Sequence, residues 1–145
     1  WYSSLKGWVN YNEYWINYLD EARSVISDAA SRGDIVSLRD YETRYSIQRV
    51  ESSENSTGIS REFAYAYSGG GLAHIYLISK GFTDLNNSMI EYYRNIAELE
   101  REHIGEGYIY AFEEYFGMPL DSFYNEFDDF MLKTREEQLS ILGLQ

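Results

Sequence analysis

Apolar residues recur at helical spacing along nearly the whole chain, and proline occurs only once, at position 119. This combination predicts an all-α fold, because a helix repeats its buried face every three to four residues and excludes proline from its interior. A chain of 145 residues corresponds to one ordinary domain with a single core. We therefore expect residues 1–145 to form a single-domain bundle of about six helices.

Glycines and capping residues mark where the predicted helices begin and end. The first five cover about residues 11–30, 35–50, 60–80, 84–98 and 108–116, and the sixth begins near Pro119. Residues 51–58 contain no apolar side chain and are predicted to form a loop. The tail from residue 139 to residue 145 is predicted to be short and to fray.

Three consecutive glycines, Gly69 to Gly71, lie inside the third predicted helix. Each glycine costs about 1 kcal/mol relative to alanine in a helix interior, so another interaction should offset that cost. Close packing against a neighbouring helix is one explanation. Approach of the backbone to a ligand is the other.

The chain carries 24 acidic and 12 basic residues, which give a formal net charge of −12. This charge argues against nucleic acid as a partner, because phosphates require clustered lysine and arginine. Residues 91–145 hold 13 of the acidic residues and 4 of the basic ones. They could attract a basic partner or cations, or only keep a helical surface solvated. Adjacent carboxylates such as Asp128-Asp129 point about 100° apart on a helix and are expected to face solvent.

The chain also contains 15 tyrosines. A tyrosine buries its ring while its hydroxyl stays at a polar boundary, so this composition suits either an aromatic core or a groove lined by tyrosine. An acidic groove of that kind could bind a basic peptide or another ligand, which makes a stand-alone binding module one interpretation. A structural or oligomerising domain is another. No run of residues approaches the roughly 18 apolar residues of a membrane span.

Few residues are available for metal or nucleophilic chemistry. The chain has no cysteine, only two histidines (His74 and His103), and no H-E-x-x-H motif. Glu100 and His103 form one Glu-x-x-His pair, whereas metal sites in helical bundles use two such pairs. Neither a G-x-S-x-G nucleophile motif nor a phosphate-binding Gly-Lys-Ser/Thr occurs. We therefore expect no cofactor and no complete metal site within this chain.

Two segments stand out from the helical background. They are Tyr67-Ser68-Gly69-Gly70-Gly71-Leu72-Ala73 and Phe116-Gly117-Met118-Pro119-Leu120-Asp121-Ser122-Phe123. They resemble the Tyr-x-Lys-Gly-Ala stretch and the Phe-Gly-Met-Ser-Leu-Glu-x-Phe segment of gluzincins, the zinc peptidases that include aminopeptidase N-like enzymes. The resemblance covers about residues 60–132, with Gly69 and Pro119 in place of the family's Lys and Ser, and is loose over residues 1–59.

The resemblance implies the helical C-terminal part of a gluzincin-like domain, which in that family walls one side of the substrate cleft. Tyr67 matches the family's tyrosine, which donates a hydrogen bond to the tetrahedral intermediate, so a catalytic role is implied for it. Glu13-Tyr14-Trp15 is similar to the stretch that carries the family's third zinc ligand, which implies Glu13 as a metal ligand. Zinc itself is implied only if an upstream half with H-E-x-x-H exists, and the isolated chain is expected to be inactive. A start at Trp1 without Met predicts a fragment of a larger peptidase-like protein.

Overall fold

The structure, a computed structural model, describes residues 11–42, 61–82 and 85–145. Its helices are α1 (Tyr11–Ser31), a 3₁₀ helix (Leu38–Tyr41), α2 (Arg61–Ser79), α3 (Leu85–Glu102), α4 (Gly107–Phe116), α5 (Leu120–Met131) and α6 (Arg135–Leu142). No strand occurs among the described residues. The predicted all-α, single-domain bundle is confirmed. Within the described ranges, no helix is both long and apolar enough to cross a membrane.

The core joins the apolar faces of α1, α2, α4 and α5. Helices α1 and α2 pack against each other, as do α3 and α4. The phenylalanines of α5 recur every three to four residues, so they share one face and lie in the core. Tyr76 of α2 lies over that face, with its ring centroid 5.8 Å from Phe127 and 4.9 Å from Phe130. The centre of the core is therefore largely aromatic.

The turn between α4 and α5 has the form that the sequence predicts. Gly117 ends α4 with a left-handed φ of 67°, and its N–H donates to the carbonyl of Glu113. Pro119 then stands immediately before the first residue of α5. Leu120 is buried, and Met118 packs against the core. The Phe116–Phe123 segment is thus a helix stop followed by a helix start.

The predicted second helix, over residues 35–50, differs from the structure in its described part. Residues 35–42 contain only the 3₁₀ helix Leu38–Tyr41, and residues 43–50 lie outside the described residues. Ser37 caps this short helix in a capping box with Asp40. The Ser37 hydroxyl also donates to Asp128 of α5 at 2.8 Å, and Arg39 pairs with Asp121. These contacts with α5 hold the segment in an extended stretch and one tight turn.

The C-terminal tail forms a helix, so the prediction that it frays is wrong. Thr134 and Glu137 form a capping box at the start of α6, and Gly143 ends the helix with a φ of 66°. Gln138 is buried and donates from its side-chain amide to the carbonyl of Phe130 at 2.9 Å. Leu144 is also buried. These contacts fix the tail against the core. The predicted loop at 51–58 and the predicted starts of the third and fourth helices, at positions 60 and 84, lie outside the described residues.

The three glycines of α2 have different surroundings. A Cβ at Gly69 would lie 2.9 Å from Cζ of the buried Tyr65 ring, and a Cβ at Gly71 would lie 3.2 Å from the rings of Trp15 and Tyr18. No described atom lies within 4 Å of a Cβ built at Gly70. Packing therefore explains the glycines at positions 69 and 71. It does not explain the one at position 70.

Replacing Gly70 with alanine should raise the free energy of unfolding by about 0.5–1 kcal/mol, because alanine is the better helix former and meets no neighbour there. Replacing Gly69 with alanine is the matched control. Its Cβ would press on a buried ring, so the free energy of unfolding should fall by about 1–3 kcal/mol. Urea denaturation followed by circular dichroism measures both. A loss of stability in Gly70→Ala would show that a neighbour occupies the space beside Gly70.

Candidate functional site

Tyr67 lies in the first half of α2 with 67% of its surface exposed, whereas Tyr65, two residues earlier, is fully buried. Residues two positions apart on a helix face different directions, so α2 presents one ring to the core and the other to solvent. Ser68 is buried and its hydroxyl donates to the carbonyl of Ala64 at 3.1 Å, so it is not a free nucleophile. Tyr67 is thus the accessible side chain of the Tyr67–Gly71 segment.

Tyr67 shares one face of α2 with Gly71, four residues later. Gly71 lies against the rings of Trp15 and Tyr18, so the close packing of α1 on α2 is at this position. Tyr14 and Tyr18 of α1 complete a half-buried aromatic group, in which the Tyr14 hydroxyl donates to the Tyr18 hydroxyl at 3.0 Å. We call Tyr11, Tyr14, Trp15 and Tyr18 of α1 the aromatic face; Tyr67 lies on α2, which packs against this face at Gly71.

The titratable side chains of Tyr18 on α1 and His74 on α2 have shifted pKa values. The hydrogen bond between the Tyr14 and Tyr18 hydroxyls, together with burial, raises the pKa of Tyr18 to about 12. His74 lies seven residues after Tyr67 on α2, and burial lowers the pKa of its imidazole below the usual value. At neutral pH these groups therefore offer hydrogen bonds and ring surfaces, and they carry no charge.

Glu13 lies in the first turn of α1 with its side chain exposed. In the described ranges, no three His, Asp or Glu side chains lie close enough together to hold a metal ion. The described residues therefore do not form a zinc site by themselves. Glu13 could serve as one ligand only where another segment supplied the remaining ligands.

The Glu-x-x-His pair at the end of α3, with Glu100 in its last turn and His103 directly after it, has a structural role. The Glu100 carboxylate accepts hydrogen bonds from the backbone N–H groups of Gly105 and Gly107, the latter at 3.0 Å. The ring of His103 stacks on the ring of Tyr110, with centroids 3.7 Å apart. Both side chains therefore stabilise the turn from α3 to α4. From the sequence pattern alone, this pair could either bind a metal or form part of a solvated surface.

A second group of tyrosines contacts the 3₁₀ helix and the residue that follows it, Glu42. Tyr108 donates from its hydroxyl to the carboxylate of Glu42, and burial raises the pKa of Tyr108 above its usual value. The guanidinium of Arg39 lies 5.0 Å from the ring centroid of Tyr124. Burial also raises the pKa of Tyr124. These tyrosines pack and donate hydrogen bonds within the fold.

Five tyrosines of α2 and α3, the candidates for lining a groove, differ in exposure. Tyr67 and Tyr93 expose 67% and 64% of their surface, Tyr76 and Tyr92 are half-buried, and Tyr65 is buried. A single groove lined by all five is therefore not present. The exposed rings lie on α2 and α3 separately.

The sequence predicts that the Asp128 carboxylate faces solvent, but the structure buries part of it. It is half-buried, whereas Asp129 is exposed. Burial raises the pKa of Asp128, and the hydrogen bond from Ser37 opposes this shift. The sequence gives no sign of this difference, because Ser37 lies 91 positions away in the chain.

The buried hydroxyl of Tyr65 has no hydrogen-bond partner among the described residues. Desolvation raises the pKa of this phenol, with a further contribution from the charge of Asp128. An unpaired buried hydroxyl costs about 1–3 kcal/mol, so replacing Tyr65 with phenylalanine should raise the free energy of unfolding by about 1 kcal/mol.

Thermal unfolding measures the stability of Tyr65→Phe, with Tyr67→Phe as the control. The control changes an exposed ring, so it should alter the free energy of unfolding by less than about 0.5 kcal/mol. A lower melting temperature for Tyr65→Phe than for the unchanged protein would mean that this hydroxyl has a partner in solution.

No protein-family model, curated protein or solved structure matches the chain. Assignment of function therefore rests on the residues and their geometry.

Proposed function

We propose that this chain is the helical C-terminal part of a gluzincin-like metallopeptidase domain, in which Tyr67 and the aromatic face wall one side of the substrate cleft. The observation that carries the proposal is the exposure of Tyr67 on a helix whose other tyrosine, Tyr65, is buried. A tyrosine that stabilises an oxyanion must present its hydroxyl to the substrate rather than to the core.

The packing of α2 on α1 supports the same role. Gly71 brings α2 close to Trp15 and Tyr18, so the backbone that carries Tyr67 rests on a large aromatic surface. A donor held on a rigid helix is preorganised, and preorganised donors stabilise charge that develops in a transition state. Tyr67 would donate its hydroxyl hydrogen to the oxyanion of the tetrahedral intermediate.

This chain would supply only part of the zinc site. Glu13 would contribute one carboxylate, and an upstream H-E-x-x-H segment would contribute two imidazoles and a general base. The exposed position of Glu13 leaves its carboxylate free to meet such a segment.

The proposal predicts activity only for a chain that includes the upstream segment. The coding sequence before Trp1 should contain H-E-x-x-H, and the longer protein with zinc should hydrolyse peptides while the isolated 145-residue chain should not. Hydrolysis by the isolated chain, or an upstream sequence without that motif, would contradict the proposal.

A second candidate is a stand-alone module that binds a basic peptide. The exposed rings of Tyr67 and Tyr93 on a chain of net charge −12 favour it, because cations bind to aromatic faces and to carboxylates. A lysine-rich peptide should then change the tryptophan fluorescence of the chain, and Tyr67→Ala should weaken the binding. Equal affinity for lysine-rich and glutamate-rich peptides would exclude this candidate.

A further inference from the structure

A small groove lies between the end of α1, the segment after it and the end of α5. Its volume is about 140 Å³, and its walls include Ile26, Ala30, Val36, Met131 and Leu132. A cavity of about 150 Å³ holds a molecule the size of benzene, so this groove has room for about six heavy atoms. It is large enough for one side chain or a small molecule.

The groove also contains the half-buried carboxylate of Asp128. One oxygen of this carboxylate accepts the hydrogen bond from Ser37 at 2.8 Å, and no described residue donates to the other. The nearby guanidinium of Arg39 forms its ion pair with Asp121. Among the described residues, Asp128 therefore forms no direct ion pair, and the positive charge of Arg39 acts on it only from a greater distance.

The rim of the groove is apolar and open to solvent. Ile35 exposes 91% of its surface and Leu132 exposes 76%. Asp34 adds a second carboxylate at the rim, where it lies 3.7 Å from the guanidinium of Arg32. A ligand that matches these features carries one positive charge on a short apolar stem.

We propose that this groove binds an alkylammonium group, with its charge at Asp128 and its alkyl stem between the apolar walls. A lysine side chain of a peptide and a free primary amine share this chemistry. The ammonium would donate a charge-assisted hydrogen bond to the free oxygen of Asp128. The stem would remove the apolar surfaces of Ile26, Val36 and Met131 from water. The proposal does not depend on either function proposed for Tyr67.

The test is a titration with n-pentylamine, followed by the backbone amide NMR signals of the whole chain. Saturable shifts confined to the residues around the groove are expected at concentrations up to about 50 mM. The neutral analogue 1-pentanol should bind at least about tenfold more weakly, because it cannot pair with the carboxylate. A short lysine peptide tests whether a lysine side chain is also bound. Shifts at the same residues would show that this side chain enters the groove.

Two variants and one control separate charge from shape. Asp128→Asn removes the charge while it leaves an oxygen for Ser37, and it should weaken n-pentylamine binding by about tenfold or more. Ala30→Phe should block the groove and abolish binding. Asp129→Asn makes the same charge change at an exposed neighbour and should leave the affinity within about twofold. Circular dichroism confirms that each variant is folded.

Each outcome decides the proposal. Shifts with n-pentylamine that are lost in Asp128→Asn support it, with or without shifts from the lysine peptide, which only identifies the source. Equal binding of n-pentylamine and 1-pentanol, equal effects of Asp128→Asn and Asp129→Asn, or no saturable shift would overturn it.

Discussion

Replacing Phe127 with alanine should lower the free energy of unfolding by about 3–5 kcal/mol. Phe127 has no exposed surface, and its ring lies 5.7 Å from Phe130 and 6.0 Å from Phe123 on the same helix. Tyr76 of α2 packs on it from the other side. Removal of the ring would leave a cavity between rigid aromatic neighbours that cannot collapse fully, so the loss should be near the upper part of that range.

Urea denaturation measures the free energy of unfolding of Phe127→Ala, with Leu132→Ala as a surface control. Leu132 follows α5 directly and is 76% exposed, so its truncation should cost less than about 0.5 kcal/mol. A cost below about 1 kcal/mol for Phe127→Ala would show that α2 and α5 do not pack on each other through this ring.

Replacing Gly107 with alanine should lower the free energy of unfolding by about 3 kcal/mol. A Cβ at Gly107 would lie 2.5 Å from the backbone nitrogen of Glu100 and 2.7 Å from its Cα. Backbone atoms cannot rotate away as a flexible side chain can, so α4 would have to move from α3. That movement would also strain the hydrogen bond from the Gly107 N–H to the Glu100 carboxylate.

Hydrogen exchange distinguishes this local effect from a general loss of stability. In Gly107→Ala, protection should fall most in α3 and α4, because these two helices pack mainly on each other. Gly70→Ala is the control, since it makes the same chemical change in a helix without a close contact. If Gly107→Ala matched Gly70→Ala in stability, the close approach of α3 and α4 would be wrong.

The main helices could be predicted from the sequence because their signals are local. α1 and α5 carry apolar residues at helical spacing, and Gly33 and Gly117 end α1 and α4 with left-handed backbones. The turn in the Phe116–Phe123 segment could also be predicted, because the residues that end α4 and begin α5 lie within the segment itself. Local spacing and capping therefore account for most of the all-α fold.

The two departures from the predicted elements depend on contacts that are distant in sequence. The 3₁₀ helix is held by Ser37 and Arg39, whose partners on α5 lie 91 and 82 positions away. Helix α6 is held partly by Arg23, which donates to Gln138 across 115 positions at 2.6 Å. Periodicity within a short window contains no information about such partners.

The candidate site could be predicted only in part for a similar reason. The resemblance to gluzincins singles out Tyr67, but the spacing of residues alone does not decide that Tyr65 is the buried ring and Tyr67 the exposed one. The glycine run suggests close packing, and only the positions of Tyr65, Trp15 and Tyr18 show which glycines have it. Asp128 and its groove depend entirely on how α1 meets α5.

The most direct test of the proposed role of Tyr67 is the kcat for peptide hydrolysis by the longer, zinc-loaded protein that the proposal requires, with an H-E-x-x-H segment before Trp1. Tyr67→Phe should lower kcat about 10²–10³-fold with little change in KM, because the lost hydrogen bond forms only with the oxyanion. Tyr93→Phe removes a hydroxyl of similar exposure on α3 and should leave kcat unchanged. A kcat for Tyr67→Phe equal to that of the unchanged protein would contradict the account.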